Sequence, residues 1–228
     1  MRFLVLAVLM AAASPARAAD DVDYLFRLGM MEGHLIIAGE LLDAGQVPMA
    51  LPHFGHPVQE LYEDIAEAVL AKHLRPFDSD LIALEAAVAG APNDPATKRK
   101  FAEVIGLIHR ARAAAPPALR DSVPEMIRIC ADTVDAAAGE YGEALDRGQI
   151  DSIVEYHDSR GYLAYVAQEL DRLGSEASAP EQGMIARFRA VLARAQWIVA
   201  PLLPGVTPRA TLAQYRDIAA EAAQLAGT

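Results

Sequence analysis

Apolar residues recur along this chain at three- and four-residue intervals, and nowhere do they alternate convincingly with polar ones. That periodicity marks helices with one buried face rather than strands. Breakers cut the pattern into eight stretches, near 22–44, 48–73, 79–90, 94–114, 118–147, 150–174, 180–200 and 208–226. "RPFDSD" and "GAPNDP" punctuate the first half, "AAPPALRD" the middle, and "LGSEASAPE" and "PLLPGVTP" the second. Asp94 before Pro95 and Thr207 before Pro208 predict helix starts, because proline at the first helical position loses no needed N–H. The expected fold is all-α, an antiparallel bundle of about eight helices.

The pattern also repeats itself. "GELLDAGQV" at 39–47 matches "GEALDRGQI" at 142–150, with Gly39, Glu40, Leu42, Asp43, Gly45 and Gln46 recurring as Gly142, Glu143, Leu145, Asp146, Gly148 and Gln149. Gly45 and Gly148 then stand where a helix end wants a left-handed residue. Each match ends one helix and begins its return partner, with four stretches on either side of the midpoint. The expectation is an internal duplication, with residues 19–116 as one helical repeat and 117–228 as the other.

The N-terminus changes the picture of compartment. Arg2, the apolar run "FLVLAVLMAAA" and the small-x-small site "ARA" at 16–18 read as a secretory signal peptide over residues 1–18. No later apolar stretch reaches the roughly 20 residues of a membrane span. The expected location is the periplasm, for a protein that does not span the membrane. Loss of Arg2 and Arg17 takes the net charge from −11 to −13, which excludes a nucleic-acid partner and favours cations. Cys130 is the only cysteine, so no internal disulfide supports the fold. Its spacing from Ile127 and Val134 puts it on an apolar helix face. Trp197 in "AQWIVAPLL" is expected in the core.

Candidate chemistry concentrates in residues 30–64, which hold His34, His53 and His56 of the chain's six histidines, beside Glu40 and Glu60. A hairpin turning near Gln46 brings Glu40 level with His53 and sets His34 between His56 and Glu60. Pro52 and Gly55 leave the stretch around His53 and His56 open to a loop reading. A second hairpin near Gln149 levels Glu143 with Glu155 and Glu140 with Asp158, with His157 beside Tyr141. Imidazoles and carboxylates facing inward from paired helices are how helical bundles hold metals. His34, Glu40, His53, His56, Glu60, Glu143 and His157 are therefore the candidate ligands. That set suits a transition metal ion, iron ahead of copper, with Met30, Met31 and Met49 as thioethers for cuprous ion. The same residues also fit a purely structural hairpin, or a bundle enclosing an apolar small molecule. His73 and His109 lie in basic surroundings unsuited to a cation. "GxSxG", "HExxH" and a phosphate-binding glycine loop are all absent, so no enzyme is expected.

Two resemblances follow from these motifs. "AGELLDAGQVPMALPHFGHPV" resembles a tetratricopeptide hairpin, with Gly45 at the turn followed by Ala50, Phe54 and Pro57, and implies antiparallel helix pairs and a protein-interaction module. "GHPVQE" (Gly55, His56, Glu60) is similar in composition to the G-x-H-x-x-E motif of imelysin-like proteins, exported duplicated helical bundles linked to iron uptake. It lacks the residue between Gly and His and has an extra one before Glu. This second resemblance implies a carrier, buffer or transporter accessory. Its partner would be an inner-membrane transporter or another periplasmic protein.

Overall fold

A computed structural model describes residues 15–227, with side chains from residue 20 onward. Most of the expected signal peptide lies outside these residues. The chain is all-α. Helix α1 (Pro15–Asp43) returns through α2 (Val47–His56), a π-helical turn (Pro57–Leu61) and α3 (Tyr62–Ala71), followed by α4 (Asp78–Gly90) and α5 (Pro95–Ala113). A single turn, α6 (Pro117–Arg120), leads to α7 (Val123–Glu143), α8 (Ile153–Gly174), α9 (Ala179–Ile198) and α10 (Leu212–Ala226). No helix among the described residues is long and apolar enough to cross a membrane.

Local chemistry accounts for most boundaries. Asp94 accepts the Ala96 N–H at 2.6 Å ahead of Pro95. Ser178 with Glu181 closes a capping box at the start of α9. The last helix departs from expectation: it begins after Thr211, whose hydroxyl accepts from Gln214, and not at Pro208. Thr211 and Gln214 complete a two-way cap that Thr207 lacks.

The two matching nine-residue stretches turn differently. At Gly45 (φ +74°) helix α1 ends with Gly45 N–H on Leu42 O and Gln46 N–H on Leu41 O, the paired bonds of a left-handed glycine cap. At the second copy the helix stops at Glu143. The chain then forms a tight hairpin, β1 (Leu145–Asp146) paired antiparallel with β2 (Gln149–Ile150), through Arg147 (φ +47°) and Gly148 (φ +80°). Both glycines take left-handed backbone, but Gly148 closes a strand turn. This short hairpin is a departure from helix that the apolar pattern did not announce.

Helix α1 packs on α2 and α5, and α4 packs on those same two; α7 packs on α8 and α10, and α9 on those two. The two rings join where α1 lies against α8. There the backbones nearly touch: a Cβ on Gly161 would stand 2.4 Å from the Gly33 carbonyl oxygen, and one on Gly29 would meet the Tyr165 ring at 2.4 Å. Only glycine permits so close an approach. Cys130 and Met31 are buried in the core, and burial pushes the Cys130 thiol far up, leaving it inert. Trp197 corrects the expectation. It is 57% exposed in the last turn of α9, and Arg209 lies over its ring from outside, 5.2 Å from the centroid.

Gly161→Ala is expected to cost about 1–3 kcal/mol or more, through overpacking against a backbone that cannot retreat. Gly45→Ala, where a Cβ meets nothing within 4 Å, should cost only about 1 kcal/mol from its left-handed φ. Urea melts followed by circular dichroism would show this order; equal costs would refute the crossing as a packing constraint.

Candidate metal centre

The glycine crossing sets a polar cluster into the core. His34 follows Gly33 on α1, and Asp158 sits three residues before Gly161 on α8. His53 and His56 reach in from α2, three residues apart on one face. His53 is buried and helical, so this stretch is not the loop that Pro52 and Gly55 suggested. Pro52 is instead carried inside α2, and Pro57, unable to donate to the His53 carbonyl, opens the π-helical turn just after His56. Such widened turns are frequent at functional sites.

Asp158 is the hub. Its Oδ1 accepts from His34 Nδ1 at 2.6 Å and from His53 Nδ1 at 2.7 Å. His56 Nδ1 lies 3.2 Å from Oδ2, within ion-pair reach but without a hydrogen bond's alignment. Burial alone would raise the Asp158 pKa, but His34, together with the His53 N–H and the nearby His56 ring, holds it far below the usual carboxylate range. An ionised carboxylate only accepts, so His34 and His53 both carry their protons on Nδ1. His34 Nε2 then accepts from the Tyr162 hydroxyl at 2.9 Å. His53 Nε2 is buried with no partner at all. Burial would lower the His56 pKa, but Asp158, Glu60 and Glu155 outweigh it and hold it above the ordinary value.

One ligand atom from each of His34, His53, His56 and Asp158 can be chosen so that all lie within 4.8 Å of one another. Two ligands at about 2.1 Å from a shared ion stand at most about 4.2 Å apart, so side-chain motion under an ångström would close the set. Coordination through Nδ1 would move each proton to Nε2. At His34 the Tyr162 oxygen can accept that proton as readily as it now donates. The donor set fits a transition metal ion.

The other candidates fall elsewhere. Glu60 stands at the rim, 3.9 Å from His56 Nε2 and half exposed. Glu40 is not brought to the cluster: it pairs with Arg160 at 2.9 Å, tying α1 to α8. His157 packs 5.6 Å from the His53 ring, and burial lowers its pKa. Its Nε2 donates to the Leu202 carbonyl at 2.8 Å, and its Nδ1 is left buried and unpartnered. Glu143 is exposed. Its charge is one of those, with Asp158, Glu60 and Glu155, that add to burial in pushing the Glu140 pKa up to about 8. His109 binds Glu32 at 2.8 Å, away from the site. Asp158 was absent from the candidate ligands. A glycine beside a polar residue on each of two helices, Gly33–His34 and Gly161 with Asp158, was the signal that could have found it.

Residues 116–226 match the model of the iron permease-associated four-helix bundle domain. The match spans α6 to α10, just under half of the chain, and includes Asp158 but none of the three histidines. It falls on neither of the two families that the sequence resembles. No curated protein and no solved structure gives a match.

Glu140 binds its proton more tightly in the fold than an ordinary Glu, near 4.3, does in the unfolded chain. The folded state therefore holds the extra proton between those values, and stability falls as pH rises through that window. Glu140→Gln should raise the melting temperature of the metal-free protein clearly at pH 8 and little at pH 5. An equal gain at both would contradict the assignment.

Proposed function

We propose that this chain is an exported, non-catalytic metal-binding protein that serves an iron permease, holding one cation with His34, His53, His56 and Asp158. The observation that carries this reading is the convergence of three imidazoles from two helices on one buried carboxylate of a third. A core gains nothing from burying so many polar groups, two of their nitrogens without a hydrogen-bond partner, unless something is to be bound. The mixed imidazole and carboxylate donors favour ferrous iron over cuprous, which prefers thioethers and thiolates. The description of the domain matched at 116–226 supplies the link to iron permeases. The signal peptide expected over residues 1–18 supports the periplasm as the place of action, with the chain as a carrier or buffer for the transporter.

Anaerobic calorimetry with ferrous, zinc, cupric and cuprous ions tests it. His53→Ala with His56→Ala should abolish binding and leave helicity nearly unchanged. Asp158→Asn should weaken it by more than the roughly 10–100-fold typical of an outer-shell partner, and Tyr162→Phe by about that amount. No heat with any ion would defeat the reading.

The pH profile discriminates ligands. A raised His56 pKa keeps that ring protonated above its ordinary 6.5, so affinity should already be falling below about pH 7. Carboxylates alone would hold their affinity to roughly pH 4–5. A flat profile from pH 7 to 5 would exclude the histidines.

A further inference from the structure

The chain's charge is unevenly laid out. Residues 182–216 carry five arginines and not one acid, in a protein with 31 Asp and Glu. Three of the five large apolar side chains exposed among the described residues, Trp197, Leu203 and Val206, fall inside this same segment. Arg187 and Arg194 lie one heptad apart on α9, with Trp197 a turn beyond, so they share one side of the helix. Arg209 stacks on the Trp197 ring and donates to the Trp197 carbonyl at 3.0 Å. Arg194 is paired with Glu221 at 2.6 Å, whereas Arg187 and Arg209 pair with no carboxylate among the described residues. Between α9 and α10, Arg194, Trp197 and Arg209 border a shallow groove of about 510 Å³, floored by Ile198 and Ile218.

We propose that this face docks on an anionic phospholipid bilayer. The basic, aromatic and aliphatic groups are those that settle at headgroup depth: arginine on the lipid phosphates, tryptophan at the interface, single aliphatic side chains just below. The rest of the molecule, strongly acidic, is repelled by the same surface, so only this pole can face it. Leu203 and Val206 stand on a proline-rich connection rather than in a water-excluding pocket of the kind that anchors a protein partner. The connection is also stapled beside the metal centre. Leu202 O receives His157 Nε2, Pro201 O receives the Tyr156 hydroxyl, and Arg160 donates to Val199 O and Ala200 O. The docked face and the cation cluster are thus held by neighbouring residues of α8. This inference stands on different residues from the metal reading and survives or fails without it.

Trp197 is the only tryptophan, so its emission reports this face alone. The full chain should float with vesicles of phosphatidylethanolamine and phosphatidylglycerol, with a blue-shifted emission, and stay unbound with pure phosphatidylcholine. Raising salt should release it. Arg187→Glu with Arg209→Glu should weaken vesicle binding about twentyfold or more, since each arginine near such a surface contributes roughly fivefold. Leu203→Ser with Val206→Ser should reduce the blue shift. Circular dichroism and cation binding should be unchanged in both. Absence of flotation, or equal flotation of the charge-reversed variant, overturns the proposal. So does binding only to protein-bearing membranes and its loss on protease treatment, which would assign the face to an acidic protein.

Discussion

The contact between the backbones of α1 and α8 at Gly33 and Gly161 is the constraint on which the rest depends. With a side chain at either position the helices would stand further apart, and His34 could not reach Asp158. The seam is then fastened along its length. Glu40 and Arg160 pair near the cluster, and towards the other end buried Glu169 and partly buried Arg112 meet with Tyr165. Arg112 also reaches Glu32, so α5 is fixed to the same seam. Polar groups at both sides of a glycine contact set the relative position of the two helices more tightly than apolar packing alone, because each has a definite partner and distance.

A buried carboxylate is costly unless it is neutralised or fully hydrogen-bonded. Asp158 is held by imidazoles, two hydrogen-bonded to Oδ1 and a third beside Oδ2, and imidazolium surrenders its proton near neutral pH as ammonium and guanidinium groups do not. An arginine in place of the histidines would give an inert structural ion pair, like that of Arg112 with Glu169. Histidines leave the carboxylate able to exchange protons for another cation. The acids around the entrance add negative potential where Glu60 meets solvent, and, after burial, they help to push the Glu140 pKa up.

Much of this was legible in the sequence because it was local. Apolar periodicity and breakers located the helices, including α8 and α9, to within a few residues. The hairpin arithmetic around Gln46 set His34 beside His56. What stayed hidden was which hairpins face each other. Glu40 and Asp158 occupy comparable positions beside a turn, and only the α1–α8 packing decides that the first meets Arg160 while the second meets three histidines. The β-hairpin at Leu145–Ile150 was masked because its sequence nearly copies a helix end, and two positive φ angles in succession cannot be inferred from Gly148 alone. Trp197 was misplaced for a related reason: its apolar neighbours are buried, but it occupies the turn where the helix ends.

His34 and Asp158 are separated by 124 positions along the chain. No shorter fragment contains the cluster. An ion held by the four residues of this cluster would consequently stabilise only the finished fold. A polypeptide threaded unfolded across a membrane brings no metal with it. Were the chain exported unfolded, as proposed, any ion it came to hold would be chosen from whatever the destination offers, and the place of folding would select the cargo as much as the ligands do.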